Sequence, residues 1–355
     1  MAGRRHVTLG EVAKAAGVSI ATASRAINGS TRRVNEDIRR RVRQTAEELG
    51  YLPNLSAQTV VKGASPTVAV LVSDIADPYF SSIASGIMQG ARELGFMVTM
   101  AASERRTREG AELLRTFRGQ RPQAIVVVGS RREGDPHAEE FERQLSAYSE
   151  SGGHVVLVSQ GPSPFDLVDI QNSEGARELA HALVSCGGRG FAVVAGDLGL
   201  YTNAERLAGF RRGLEECDVT LSEDAVAEGQ FTRDGGYAAM QELLTRKEAL
   251  GLELDTVFAT SDLMAFGAAT ALRSAGIEPG KGVSLAGFDN IALTEDVTPS
   301  LTTVDVPLGE LGYQAVRLAL DKVDSGSSGD ASEPPEPVRL PIRTTVVLRA
   351  STPQR

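Results

Sequence analysis

A short polar series near the N-terminus has residue types that contact nucleic acid. Within residues 12–29, "VAKAAGVSIATASRAING", hydroxyl and guanidinium side chains recur at Ser19, Thr22, Ser24 and Arg25 among small apolar residues. Hydroxyls bond phosphates or base edges, and an arginine fork binds guanine or phosphate. The same spacing also fits a helical hairpin that simply has a polar face, so the surrounding elements must decide between the two readings.

Two short helices are predicted to position these side chains. Thr8 and Glu11 fit a capping box at the start of the first helix, and Gly17 ends that helix. Ser19 caps a second helix that stops at Asn28. Small residues let the two helices cross closely, namely Ala13, Ala16 and Ala23. Two short helices joined by a glycine-containing turn form a helix-turn-helix, with Ile20, Ala21, Thr22, Ser24, Arg25 and Asn28 facing outward.

A third helix and a local charge excess complete this N-terminal head. The helix is predicted between Asn35, a good N-cap, and Gly50, with Ile38, Val42 and Ala46 on one face. Residues 1–63 carry a net charge of +6, whereas the remainder carries −15 within a chain total of −9. A basic head on an acidic body indicates a polyanionic partner, although a basic solvated surface would give the same count.

The head resembles the DNA-binding domain of the lactose-repressor (LacI/GalR) family. The resemblance lies in "VTLGEVAKAAGVSIATASRAING" and "RVNEDIRRRVRQTAEELGYLPN". It implies that Ile20 and Ala21 read bases, and that Thr8 and Ser19 meet phosphates through helix N-termini. It also implies base and phosphate contacts for Thr22, Ser24, Arg25 and Asn28. Because Ile20 and Ala21 cannot hydrogen-bond, their readout must be apolar, for instance against thymine methyls.

The segment after the head departs from the family pattern. The resemblance implies DNA contacts at Tyr51, Asn54 and Val60, in a hinge helix that forms on the operator. Val60 stands where family members place a leucine that wedges into the minor groove. We expect Val60 to kink the DNA less than leucine does, unless valine fills the same role equally well. The loop between Asn28 and Val34 also has one residue more than is usual in the family.

From Thr67 onward the chain alternates strands and helices. Valine-rich runs without polar alternation, such as "TVAVLVS" and "AIVVVG", are typical of parallel strands covered on both faces. Two series of such units predict an α/β core of two Rossmann-like lobes, as in periplasmic binding proteins. We expect residues 1–63 to be the head and hinge. The first lobe is expected to comprise 64–160 and 290–323, and the second lobe 161–289 and 338–352.

Four motifs of the core match ligand-contacting positions of the family. They are "DPYF" with Asp77, Tyr79 and Phe80, "NAERLAGF" with Arg206, "TSDLMAFGA" with Asp262, and "GFDN" with Asp289. Each lies just after a predicted strand or at the start of the next helix, so their side chains are expected in one cleft that suits a sugar or related polyol. The alternatives are a helix cap for Asp262, a hinge brace for Asp289, and core positions for Tyr79 and Phe80. Ser159-Gln160 replaces an Asp-Arg pair common in the family.

Other function classes lack sequence support. The apolar runs are too short to cross a bilayer, no signal peptide is legible, and two cysteines form no metal pattern, which predicts a cytoplasmic protein. The four histidines are far apart, and nucleotide-binding or nucleophile motifs are missing, so we expect no enzyme, cofactor or metal.

The combined reading is a sequence-specific transcriptional regulator, most simply a repressor. It would act as a homodimer on a pseudo-palindromic site in double-stranded DNA and respond to a sugar-like effector in the cleft. The alternatives are a small-molecule (sugar) binding protein, exported or cytosolic, and an α/β enzyme with no role on DNA.

Overall fold

The computed structural model describes residues 7–28, 34–52, 64–104, 106–325 and 336–353. The chain divides into two compact units, Met1–Ser65 and Pro66–Arg355, which are called the head and the core below. The break lies two residues beyond the predicted end of the head at residue 63.

Three helices form the head: α1 (Leu9–Ala15), α2 (Ile20–Asn28) and α3 (Glu36–Glu48). Thr8 and Glu11 make the predicted capping box at α1, and Asn35 caps α3 by accepting a hydrogen bond from the Asp37 amide at 2.8 Å. Gly17 has φ +65°, the left-handed conformation that ends α1 and turns the chain toward α2. These local signals explain why the head could be derived from sequence.

Small side chains hold the three helices together. The buried residues of this unit are Val12, Ala13, Ala16, Ala23, Ala26, Val42 and Ala46. Alanine buries little apolar area, so each of these contacts adds little to the free energy of unfolding. The small side chain does, however, let neighbouring helices approach until their backbones pack. A larger residue at Ala23, which is 0% exposed, would separate α2 from its neighbours.

The first lobe of the core is a parallel six-stranded sheet in the order β11-β5-β4-β3-β1-β2. Its strands are β1 (Thr67–Val72), β2 (Met97–Ala102), β3 (Ala124–Val128), β4 (His154–Ser159), β5 (Asp166–Ile170) and β11 (Arg339–Ile342). Its helices are α4 (Pro78–Glu93), α5 (Thr107–Gln120), α6 (Ala138–Glu150) and α12 (Leu308–Ser325).

The two faces of this sheet carry different helices. Val70 and Val72 share a buried cluster with Ile83 and Ile87 of α4, on the face that α12 also covers. Leu71, one residue out of phase, belongs to a second cluster with residues of α5 and α6. Strand side chains alternate between faces, so continuous burial along β1 reflects cover on both sides, as predicted for a parallel sheet.

The second lobe has a parallel four-stranded sheet in the order β7-β6-β8-β9. These strands are β6 (Phe191–Ala195), β7 (Val226–Glu228), β8 (Thr256–Ala259) and β9 (Ser284–Ala286). A two-stranded antiparallel sheet lies beside it, formed by β10 (Thr303–Asp305) and β12 (Thr345–Val347). The helices are α7 (Asn172–Ser185), α8 (Tyr201–Glu215), α9 (Arg233–Leu250), α10 (Asp262–Ser274) and α11 (Leu293–Asp296).

The sheets correct the expected lobe boundaries. Strand β5, assigned from sequence to the second lobe, pairs with β4 in the first sheet, and β10, assigned to the first lobe, pairs with β12. The expected final strand "LPIRTTVVLR" is two strands in different sheets, β11 and β12. Two aspartates interrupt the apolar run of β5, so its sequence does not look like a buried parallel strand. Which sheet a strand joins depends on residues far away along the chain, so the sequence pattern does not predict the sheets of β5, β10 and β11.

Helices α4 and α12 touch at their backbones. A Cβ atom added at Gly86 would lie 1.9 Å from the carbonyl oxygen of Gly309, and one at Gly312 would lie 2.0 Å from the carbonyl oxygen of Ile83. No side chain fits these distances, so glycine on both helices is what permits the crossing.

We therefore expect Gly86→Ala to lower the free energy of unfolding by about 1–3 kcal/mol, because the added methyl must push the helices apart. Gly119→Ala is the matched control, since a Cβ at this exposed helical site meets nothing within 4 Å. The control should be neutral or stabilising by up to about 1 kcal/mol. Urea unfolding followed by circular dichroism at 222 nm measures the free energy of unfolding of both variants. Equal unfolding midpoints for the two would contradict the close crossing of α4 and α12.

Candidate functional site

The outer surface of α2 carries the side chains singled out in the sequence. Ile20 is 60% exposed although it is a large apolar residue. Ala21 beside it is exposed, and Thr22, Ser24 and Arg25 are half-buried. An exposed helix with an apolar residue, hydroxyls and an arginine on one surface can enter a major groove and contact both bases and phosphates.

The N-termini of α1 and α2 are both capped by hydroxyl side chains. Thr8 Oγ1 accepts a hydrogen bond from the Glu11 amide at 3.3 Å, and Ser19 Oγ accepts one from the Thr22 amide at 3.1 Å. Thr8 and Ser19 are exposed, so these positive helix ends face solvent. A helix N-terminus with accessible amides and hydroxyls favours an anion such as a phosphate.

The remaining predicted DNA contacts have different placements. Tyr51 packs against the head's apolar cluster, and its amide donates a hydrogen bond to the Ala46 carbonyl at 2.8 Å. Asn28 ends α2, but its side chain lies outside the described part of the structure, as do Asn54 and Val60. The long loop at residues 29–33 also falls outside it.

The core contains a cavity of about 540 Å³ between its two lobes, a size typical of small-molecule sites. Residues at the carboxyl ends of strands in both sheets line it, where ligands of open α/β sheets bind. Five of the six predicted effector residues reach its wall: Asp77, Tyr79, Phe80, Arg206 and Asp289.

Arg206 is the most tightly held polar group of the cavity. It is 1% exposed, and its guanidinium donates three hydrogen bonds: Nε to Asn172 Oδ1 at 2.8 Å, Nη1 to the Thr260 carbonyl at 2.6 Å, and Nη2 to Asp289 Oδ1 at 2.7 Å. The guanidinium carbon also lies 3.8 Å from the centre of the Phe288 ring. Two of its five N–H groups remain beyond these bonds, so Arg206 can still donate to a ligand hydroxyl.

Asp289 balances this buried cation at an unusual backbone position. It has φ +114°, rare for a residue with a side chain, and its ion pair with Arg206 is almost fully shielded from solvent. Burial raises the pKa of Asp289 to about 6, while the Arg206 charge and hydrogen bond oppose the rise. The chain returns to the first lobe after β10, and the Asp289 amide donates to the Val304 carbonyl of that strand at 2.9 Å. The ion pair therefore lies beside the approach to that crossover as well as in the cavity wall.

The first lobe contributes an aromatic pair at the start of α4. Asp77 caps this helix by accepting a hydrogen bond from the Tyr79 amide at 3.0 Å. Tyr79 and Phe80 pack edge to face with ring centroids 5.0 Å apart, and Phe80 is buried. Burial raises the pKa of Tyr79, with the charge of Asp289 adding to the rise. The phenol therefore stays protonated and offers both a hydroxyl and an apolar ring face.

Asp262 corrects the expected set. It is 0% exposed and does not appear among the described residues that line the cavity. Its Oδ1 accepts from the Thr303 hydroxyl at 2.6 Å and its Oδ2 from the Ile291 amide at 2.9 Å. Ser261, not Asp262, caps α10. Asp262 therefore braces the segment between β9 and β10 from inside, because both carboxylate oxygens already have partners there.

Sequence reasoning missed the contacts that join the two lobes beside the cavity. The Thr202 hydroxyl donates to Gln160 Oε1 at 2.8 Å, and the Thr202 amide donates to Ser130 Oγ at 3.1 Å. Arg132 pairs with Asp197. In the sequence Gln160 stands out only as a departure from the family's Asp-Arg pair. Its partner lies on the other lobe, which no local pattern in the sequence reveals.

The described cavity wall carries hydroxyl, amide, carboxylate and guanidinium groups, and it includes no histidine, cysteine or lysine among the residues that the structure describes. Elsewhere in the described ranges, no group of three or more His, Cys, Asp or Glu side chains could hold a metal ion. No described helix has the length and apolar character needed to span a membrane.

The raised pKa of Asp289 predicts a pH effect on stability. The folded chain binds this proton more tightly than the unfolded chain, whose aspartates titrate near pH 3.9. The carboxyl therefore stabilises the fold fully below about pH 4, and this contribution is lost as the pH rises through about 6. Asp289→Asn should remove that dependence. Burial chiefly raises the pKa of Asp262 and the Asp289 charge adds to the rise, so the same substitution should lower the pKa of Asp262.

Urea unfolding at pH 5, 6 and 7 measures this difference. The stability advantage of the unsubstituted protein over Asp289→Asn should shrink as the pH rises. Asp234→Asn is the control, since the Asp234 side chain is 92% exposed and should leave the pH profile unchanged. Parallel profiles for the unsubstituted protein and Asp289→Asn would show that Asp289 keeps an ordinary pKa.

Both units of the chain match known protein families. Residues 8–54 match the family described as bacterial regulatory proteins, lacI family, and residues 180–352 match the periplasmic binding protein-like domain. The chain is similar along its length to the HTH-type transcriptional regulator CelR of Thermobifida fusca, with 33% identity over 356 residues, 98% of this chain and 99% of CelR. The HTH-type transcriptional repressor CytR of Escherichia coli strain K12 is 31% identical over 327 residues, 92% of each chain.

Solved structures agree with these similarities to bacterial transcriptional regulators. The complex of the transcriptional regulator CelR with cellobiose has a TM-score of 0.69 at 32% identity, covering 98% of this chain and all of that one. The lac repressor dimer bound to operator and the anti-inducer ONPF has a TM-score of 0.82 over 98% of this chain and 100% of that chain, and at 24% identity it shows the fold alone. Since relatives above 30% identity extend along nearly its whole length, the chain belongs to the LacI family of bacterial transcriptional regulators.

Proposed function

We propose that this protein is a sequence-specific transcriptional repressor that binds a pseudo-palindromic operator as a homodimer and responds to a sugar or related polyol. The observation that carries the DNA role is the exposed surface of α2, with Ile20, Ala21, Ser24 and Arg25 behind a capped N-terminus. The net charge of +6 on residues 1–63 favours approach to DNA. A regulator of chromosomal genes acts in the cytoplasm.

The chemistry of the cavity supports a polyol effector. Arg206 supplies two remaining N–H donors, Gln160 and Thr202 supply amide and hydroxyl groups, and Tyr79 offers an aromatic face to a sugar ring. An effector placed there contacts both lobes at once. Because Gln160 and Thr202 already join the lobes, a ligand that bonds them would change how tightly the lobes close, which is the coupling an allosteric repressor requires.

Three features support the repressor role, the sugar effector and the homodimer. CytR, which is 31% identical, is named a repressor. CelR, which is 33% identical, is named in a solved complex with cellobiose, a sugar. A homodimer would present two α2 helices to two half-sites, and the two-fold symmetry of the protein would appear as a pseudo-palindrome in the DNA.

The DNA role is tested by selecting binding sites from random duplexes with the full-length protein, then titrating the selected duplex in gel shifts. Arg25→Ala should weaken Kd by about tenfold to a hundredfold, since a base or phosphate contact contributes roughly 1–3 kcal/mol. Arg143→Ala, an exposed arginine of the core paired with Glu140, removes the same charge and should leave Kd unchanged. Affinity should fall steeply as salt is raised from 50 to 200 mM.

If the selection enriches no DNA sequence, the proposal of a sequence-specific regulator is refuted. A selected site without two-fold symmetry would refute the homodimer alone. Equal Kd values for Arg25→Ala and Arg143→Ala would place the DNA-contacting surface elsewhere.

The effector site is tested by a thermal-shift screen of sugars and polyols, followed by calorimetry on the ligands that raise the melting temperature. Thr202→Val keeps the shape of the side chain but removes the hydroxyl that bonds Gln160 in the cavity wall, so the ligand Kd should rise about tenfold or more. Thr245→Val is the isosteric control, on the exposed surface of α9 and away from the cavity wall. Unchanged affinity in Thr202→Val would mean that the ligand binds elsewhere.

A further inference from the structure

Two loops, one from each lobe, pair with each other beside the cavity. The first-lobe loop follows β3, and the second-lobe loop leads from β6 into α8. Arg132 of the first loop and Leu200 of the second form an antiparallel bridge. The amide after Arg132 donates to the carbonyl before Leu200 at 2.9 Å, and the amide after Leu200 donates to the carbonyl before Arg132 at 3.0 Å. The lobes are therefore joined by a short piece of β-ladder as well as by side chains.

The first lobe supplies the N-terminal cap of α8, a helix of the second lobe. The first amides of a helix have no partner within it, and Leu200, the N-cap residue of α8, makes no side-chain cap. The Tyr201 amide instead donates to the Arg131 carbonyl, and the Thr202 amide donates to Ser130 Oγ at 3.1 Å. Both acceptors belong to the first lobe, so separating the lobes would leave these two amides to water.

Side chains reinforce the same contact. Arg132 forms an ion pair with Asp197 across the lobes. A Cβ atom added at Gly199 would lie 2.4 Å from Arg132 Nη1, so this glycine lets the guanidinium lie against the second-lobe loop. The guanidinium carbon of Arg131 lies 5.9 Å from the centre of the Tyr201 ring, which is within the range of a cation–π contact. Each loop thus has side chains that contact the other.

The two segments 130–133 and 197–202 are called the clasp below. Ser130, Arg131 and Thr202 of the clasp line the cavity, whereas the Arg132 side chain is exposed. The clasp therefore stands between the cavity and the solvent. Opening the lobes would break three amide hydrogen bonds and one ion pair together. Every donor and acceptor in these contacts belongs to the chain itself, so the clasp can form without a bound molecule.

We propose that the clasp holds the two lobes closed when no effector is bound. The closed core is then the resting form of this protein, and an effector acts on lobes that are already together. This inference goes beyond the proposed function, because it concerns the chain in the absence of both effector and DNA. Its failure would leave the DNA role and the polyol effector untouched.

Cysteines placed at the bridge test the clasp in solution. Opposite residues at a non-hydrogen-bonded antiparallel position have Cα atoms about 4.5 Å apart, a distance that suits a disulfide. Arg132 and Leu200 occupy such a position, since the ladder bonds flank them. The full-length protein with Arg132→Cys and Leu200→Cys should therefore cross-link within one chain under mild oxidation. Native mass spectrometry checks that no small molecule is bound, and peptide mapping separates this bond from any made by Cys186 or Cys217.

The control for cross-linking combines Arg132→Cys with Tyr201→Cys. This pair is out of register by one residue, and successive side chains of an extended segment point to opposite faces. We expect it to cross-link at least tenfold more slowly than the bridge pair.

Hydrogen exchange measures the same contacts without any substitution, so it decides the question even if the cysteine variants do not fold. The amides of Glu133, Tyr201 and Thr202 should exchange at least tenfold more slowly than the intrinsic rates of their sequences, because each donates to the other lobe. Asp197→Asn should speed this exchange by about twofold to fivefold, the effect of losing one partly exposed ion pair. Arg143→Gln removes an exposed ion pair within α6 and should leave these three amides unchanged.

The results that support the clasp and those that overturn it are distinct. Rapid cross-linking at the bridge pair alone, together with the three slow amides, would establish closure without an effector. Equal cross-linking rates for the two cysteine pairs would overturn the clasp, as would exchange of the three amides at their intrinsic rates. Protection that appears only after a polyol is added would show that the effector closes the lobes, which also overturns it.

Discussion

The buried guanidinium of Arg206 is the interaction on which the core depends. It ties Asn172 at the start of α7, the Thr260 carbonyl after β8, and Asp289 after β9 to one point in the second lobe. A buried charge without partners would cost several kcal/mol. Its partners lie beside two places where the chain changes lobes, so satisfying one cation also fixes the geometry of the hinge. The second-lobe wall of the cavity is thus built from the same bonds that hold these crossover segments in place.

Close approach of backbones is the second constraint, and it acts in both units. Alanines fill the centre of the head, and glycines of α4 and α12 let these helices touch in the first lobe. In each case the smallest side chains set the distance between elements. In the head this keeps α2 seated on its neighbours while Ile20 and Arg25 face away from the cluster. In the core the other face of the same sheet packs against α5 and α6.

Local signals in the sequence predicted the three helices of the head. The sequence did not predict which strands of the core pair across long stretches of chain. The capping box of Thr8 and Glu11 and the turn at Gly17 are decided by residues a few positions apart, so they could be read directly. Strand β5 has its partners fixed by distant segments, and its sheet was assigned wrongly. Asp262 illustrates the same limit: a carboxylate at a helix start looks identical in sequence whether it faces a cavity or the interior. Five of the six residues predicted to contact an effector line the cavity, because parallel strands bring their carboxyl ends to one edge of each sheet.

The placement of β11 at the edge of the first sheet has a consequence for how the chain folds during synthesis. The three head helices make contacts within about fifty residues, so they can form as soon as they leave the ribosome. The first lobe, by contrast, begins at Thr67 yet receives α12 and its last strand only when residue 342 has emerged. Until then β5 has an open edge that can pair with a neighbouring nascent chain. The head can therefore complete its contacts earlier in synthesis than the core, which carries an exposed strand edge until its last strand has emerged.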